Sequence, residues 1–197
     1  MMNNNWRHLC VDMQRLFNED TPWHVDWMRR VLPQVERVVS IAPEHTIFTR
    51  FIPPVRADDM PGTWKAYYVK WAEMTREHLA PELLDILPEL QRFSPPALVF
   101  DKPVYSPWLD GRLHGHLKRQ EVDTLVISGG ETDVCVMAAV LGAIDLGYRT
   151  VLLSDAVCSS ADETHDASLE LFSSRFSMQL DIMECGEWLD RLAATAA

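Results

Sequence analysis

Six short runs rich in Val, Ile, Leu and Phe punctuate the chain, at residues 8–12, 46–51, 97–101, 124–129, 150–154 and 179–184. Their length suits strands rather than helices, and their nearly continuous apolar character suits strands covered on both faces. Between them the apolar spacing changes to threes and fours. Over 24–40, Val25, Met28, Val31, Leu32, Val35, Val38 and Val39 fall along one side of a helix. Residues 133–146 and 162–175 repeat that pattern, and 186–194 predicts a shorter terminal helix. Strands alternating with helices predict an α/β protein with a mostly parallel sheet covered on both faces.

The stretch 52–96 breaks the rhythm. It holds Pro53, Pro54, Pro61, Pro81 and Pro88 together with the aromatic-rich GTWKAYYVKW at 62–71. It reads as a long crossover with a helix or two, serving as a lid over the sheet edge or as a subunit contact. Its Trp and Tyr side chains have an equally ordinary use in the core.

The length of 197 residues fits one domain, 1–197, and 47% hydrophobic residues supply enough material for a sizeable core. A formal net charge of −11, with no cluster of Lys and Arg, argues against nucleic acid or an acidic membrane surface as partner. No apolar run approaches the roughly 20 residues of a membrane span. The opening MMNNNWRHLC lacks the charged region and apolar run of a signal peptide. A cytoplasmic location is therefore expected, with Cys10, Cys135, Cys158 and Cys185 as reduced thiols lacking any CxxC pairing.

In open α/β sheets, ligands bind beyond the carboxyl ends of the strands. The residues there are Asp12-Met13-Gln14 after the first run, Arg50-Phe51 at the second, Asp101-Lys102-Pro103 after the third, Gly129 to Cys135 after the fourth and Asp155 after the fifth. Cys135 begins a predicted helix, where unpaired N–H groups and the dipole favour a thiolate. Asp12 suits a general base and Lys102 suits a stabilising ammonium. Each alone has a plain structural explanation: a buried thiol, a loop cap, a solvated lysine. A carboxylate, an ammonium and a helix-start thiol on one rim are together the parts of covalent catalysis.

These segments resemble the isochorismatase-like, or cysteine hydrolase, superfamily. LCVDMQRLF at 9–17 is similar to its opening strand with a D-x-Q motif, and FDKPVYSPW at 100–108 to the strand that delivers its lysine. The 125–160 block LVISGGETDVCVMAAVLGAIDLGYRTVLLSDAVCSS is similar to its nucleophile turn, helix and following strand, and HDASLELF at 165–172 also fits. The resemblance implies a three-layer α/β/α fold with a doubly wound, six-stranded parallel sheet in the order 3-2-1-4-5-6. It implies Asp12, Lys102 and Cys135 as catalytic residues and a cis peptide between Gly130 and Glu131. The backbone N–H groups of Glu131 and Cys135 would form the oxyanion hole. The implied reaction is hydrolysis of a small amide, ureido or carbamoyl C–N bond through a thioester, the alternative being a degenerate member that only binds a metabolite or protein.

Two departures narrow this. Nicotinamidases of the superfamily carry a metal-binding D-x-H after the second strand, where this chain has TRFIPP at 49–54. True isochorismatases lack the nucleophilic cysteine. No metal and no cofactor are therefore expected. His114 and His116 form an HxH without a further ligand at metal spacing, and His165 reads as a solvated helix-start residue. Gln14, Arg50, Trp64, Tyr105, Trp108 and Thr132 are candidate substrate contacts, the aromatics as a wall and Arg50 as a carboxylate partner. A homodimer or homotetramer is expected.

Overall fold

A computed structural model describes residues 5–196. Strand β1 (Trp6–Val11) is followed by helix α1 (Met28–Ile41), strand β2 (Thr46–Phe51) and helix α2 (Thr63–Lys70) within the long crossover. Then come β3 (Leu98–Lys102), α3 (Arg112–Arg119), β4 (Thr124–Gly130), α4 (Met137–Asp145), β5 (Arg149–Cys158), α5 (Asp162–Arg175), β6 (Leu180–Met183) and α6 (Cys185–Ala196). All strand pairs are parallel and the order is β3-β2-β1-β4-β5-β6. The expected three-layer, doubly wound sheet is what the chain forms.

Alternation along the strands divides two cores. Trp6 and Cys10 of β1, with Val151 and Leu153 of β5, pack under α1 and α6. Leu9 and Val11, with Ile127 and Leu152, pack on the other face under α3, α4 and α5. Helix α1 presents Met28, Val31, Leu32, Val35, Val38 and Val39 to the first core, the stripe its spacing predicts.

Strands β1 and β4 run side by side with Val11 opposite Gly129, at the point where strand order reverses. The approach is too close for a side chain. A Cβ on Gly129 would lie 2.0 Å from the Val11 carbonyl oxygen, and its φ of 108° is open only to glycine.

Several boundaries differ from those expected. Strand β3 continues through Lys102, so the lysine ends the strand instead of following it. Strand β5 runs on to Cys158, which puts Asp155 inside it. The Asp155 carboxylate accepts the Cys185 N–H at 2.8 Å, capping α6 rather than facing the crevice. The crossover folds inward: Tyr68 is fully buried and Trp64 packs partly buried against the first core.

Candidate active site

Asp12 follows β1 in the left-handed region, φ 50°, a costly backbone for a residue with a side chain and one that clusters at functional sites. Its Oδ1 accepts a 2.6 Å hydrogen bond from Thr49 Oγ1 on β2, and its own N–H donates to the same hydroxyl at 3.2 Å. Its Oδ2 accepts from Lys102 Nζ at 2.6 Å. Lys102 reaches from the sheet edge, past β2, along the Phe51 ring, with Nζ 5.1 Å from the ring centroid. The same ammonium donates to the Val104 carbonyl at 3.2 Å and to Cys135 Sγ at 3.5 Å. Its three N–H donors are thus all engaged.

Asp12, Lys102 and Cys135 are 0%, 2% and 5% exposed, so this charge pair works in a water-poor setting where it is strong and where losing either partner is costly. Burial alone would pull the Lys102 ammonium down, but the charges of Asp12 and Cys135 outweigh it and hold it above an ordinary lysine. Burial pushes the Cys135 thiol well up; Lys102 pulls the other way and Asp12, hydrogen-bonded to the thiol, adds to the rise. The thiolate-favouring helix start expected from sequence is thus opposed by burial and by Asp12, while Lys102 acts in its favour.

Cys135 also does not sit in a regular first helical turn. Residues Thr132–Val136 form one π-helical turn ahead of α4, in which the Glu131 carbonyl accepts from both Val134 and Val136. Such wide turns recur at functional sites. The Gly130–Glu131 peptide is cis, as the resemblance implied. The Glu131 carboxylate accepts the Ser160 N–H at 3.1 Å.

Cys135 lines a cavity of about 360 Å³ together with Phe51, Tyr67, Trp71, Tyr105 and Glu131. Of the six substrate-contact candidates, only Tyr105 faces it. Gln14 is buried, its amide donating to the Phe51 and Leu84 carbonyls and accepting the Phe51 N–H at 2.6 Å, so it holds β2 in place. Arg50 grips Asp101 through two hydrogen bonds of 2.7 and 2.9 Å and does not line the cavity. Thr132 is buried against His165, whose Nδ1 lies 2.8 Å from its hydroxyl; His165 props the nucleophile turn and is not merely a solvated helix-start residue. Trp108 donates to the Ala139 carbonyl at 2.9 Å and fills the space over Gly142, where a Cβ would lie 2.1 Å from its ring. Trp64 stands behind the wall, its ring 4.8 Å from that of Tyr105.

Sequence reasoning missed Thr49, Trp23, Tyr67 and Trp71. Thr49 had a signal: a hydroxyl inside the apolar run TIFTRF must find a partner once buried, and it finds Asp12. The three rings had none, because they come from loops and the crossover, whose placement depends on the assembled core. The HxH pair divides: His114 Nδ1 lies 2.8 Å from the Tyr148 hydroxyl, while His116 lines a groove of about 670 Å³ beside β3, remote from Cys135. Among the described residues, no three His, Cys, Asp or Glu side chains are arranged to hold a metal. None of their helices is long and apolar enough to cross a membrane.

The isochorismatase domain model matches residues 8–184, nine-tenths of the chain and all of the triad. The chain belongs to the isochorismatase family. Across this hydrolase family amidases recur. The chain is 27% identical over 187 residues to a protein of Arabidopsis thaliana named "Probable inactive nicotinamidase", covering 85% of this chain and 89% of that one. It is 26% identical over 144 residues to the maleamate amidohydrolase of Pseudomonas putida, covering 73% and 65%. A cysteine hydrolase structure from Pseudomonas syringae pv. phaseolicola superposes with a TM-score of 0.81 at 21% identity, over 96% of this chain and 93% of that one, a likeness of fold.

Proposed function

We propose that this isochorismatase-family chain is a cysteine-dependent hydrolase of a small amide, ureido or carbamoyl C–N bond, working through a thioester on Cys135. One observation carries the reading: Lys102 Nζ bridges Asp12 Oδ2 at 2.6 Å and Cys135 Sγ at 3.5 Å beside a cavity that Cys135 lines. Asp12 takes the Sγ proton as sulfur attacks the substrate carbonyl, while Lys102 balances the charge on both groups. The backbone N–H groups of Glu131 and Cys135 receive the oxyanion. As the tetrahedral species collapses, the C–N bond breaks and the leaving nitrogen takes the proton from Asp12, leaving an acyl thioester. Water then attacks that thioester, giving its proton to Asp12. The C–S bond then breaks, the acid product departs, and Sγ takes the proton back from Asp12 to restore the thiol.

The thiol is itself the nucleophile, so no step calls for a metal-activated water or an organic cofactor, and the partner is a small molecule rather than nucleic acid or membrane. The chain also self-associates as a homodimer or homotetramer on this reading. The name of the Arabidopsis relative favours a second reading, a family member that binds without turnover. Ammonia release from a panel of small amides, ureido acids and carbamoyl amines separates the two. Turnover lost in Cys135→Ala supports the hydrolase, whereas saturable binding with no turnover of any compound supports the binder.

A further inference from the structure

The walls of the cavity restrict which amides enter it, an inference that rests on Cys135 as the acyl-forming nucleophile. Trp23 is the hub of the wall. Its ring lies 5.9 Å from Phe51, 6.0 Å from Tyr67, 6.4 Å from Trp71 and 6.3 Å from Phe17, all of which line the same space. Tyr105 stacks on Phe51 at 6.3 Å.

Charge is distributed one way. Among the described residues, Glu131 and His24 are the acidic and basic side chains lining the cavity, and no Lys or Arg does. His24 has both ring nitrogens committed elsewhere, its Nε2 3.0 Å from Asp26 and its Nδ1 3.0 Å from the Glu19 carbonyl. Glu131 spends one oxygen on the Ser160 N–H. The nearby ammonium of Lys102 has given its donors to Asp12, Val104 and Cys135. Arg50 is clamped to Asp101, with Asp85 at 3.6 Å. A carboxylate entering here would shed water without gaining a cation, against ring faces and a carboxylate that repel it. An alkylammonium meets the reverse: ring faces and Glu131 both attract it.

We propose that the site takes amides with an apolar body that is uncharged or bears an alkylammonium, and rejects those bearing a carboxylate. The test uses three benzamides of matched size, with methyl, aminomethyl or carboxylate at the 4-position. Binding to the Cys135→Ser protein is read by tryptophan fluorescence, since Trp23 and Trp71 line the cavity, and kcat/KM of the native protein by ammonia release. The methyl and aminomethyl compounds are expected to bind roughly 30-fold or more tighter than the carboxylate, as a desolvated unpaired charge demands. Glu131→Gln should narrow the preference for the aminomethyl over the methyl compound about 5-fold or more, read as a ratio of the two on one protein. Equal or tighter binding of the carboxylate overturns the proposal, as does the absence of binding by all three at millimolar concentration. The expected binding order without hydrolysis supports charge selection and sinks the amidase reading instead. If Glu131→Gln does not fold, the three-compound comparison on Cys135→Ser still decides.

Discussion

Asp12 and Lys102 illustrate how a buried ion pair ties function to stability. Both are nearly sealed from water, and each satisfies the other at 2.6 Å. Asp12→Ala or Lys102→Met alone should each cost about 3–5 kcal/mol, because the remaining charge is left buried and unpaired. The double substitution should cost clearly less than the sum, and urea denaturation of the four proteins measures it. Thr49→Val should lower kcat about 10-fold or more while costing about 1.5–3 kcal/mol in stability, the worth of a hydrogen bond to a charged group. Steady-state kinetics beside a denaturation curve checks that contrast. At this scale the triad was legible because thiol, carboxylate and ammonium all fall at strand ends, where topology alone brings them to one rim. Gln14, Arg50, Trp108 and Thr132 were not: their side chains turn to partners, Phe51, Asp101, Ala139 and His165, that no local pattern reveals.

Strand β1 carries a second consequence, for pH. His8 is fully buried between Thr46 on β2 and Ser128 on β4, with Nε2 2.8 Å from the serine hydroxyl. Burial pulls its pKa down from 6.5 to about 3. The folded protein thus holds it neutral while the unfolded chain protonates it below pH 6.5. Its contribution is fully present above that value and is lost as pH falls toward 3, at about 1.4 kcal/mol per unit. Between pH 7 and pH 5 the native protein should lose about 2 kcal/mol more than His8→Gln does, measured by denaturant unfolding at both values. The six strands and helices α1, α4, α5 and α6 are legible because their apolar periods differ, whereas α3, in the polar GRLHGHLKRQ, is not. The π-turn at Thr132–Val136 is not legible either, since one inserted residue leaves the period of the following helix unchanged. Gly129 is the legible part of that junction: Gly129→Ala should abolish soluble folded protein, as its Cβ has no room beside Val11.

For the molecule as a whole, alternating strands and helices predict the layers, whereas the strand order entered through the family resemblance. The sequence leaves the crossover as a lid, a subunit contact or a source of core aromatics. In the folded chain Tyr67 and Trp71 wall the cavity and Tyr68 is buried, while Val69 stays largely exposed. Self-association is expected, and sedimentation equilibrium at micromolar concentration should give a dimer or larger species; a monomer alone would contradict it. The nucleophile itself has a more direct test. The protein is mixed with the uncharged benzamide, quenched in acid during turnover, and examined by intact-mass and peptide mass spectrometry. A benzoyl-type adduct on the Cys135 peptide, absent from Cys135→Ala along with ammonia release, is the predicted result. Ammonia release that survives Cys135→Ala, or an adduct on another residue, would contradict it.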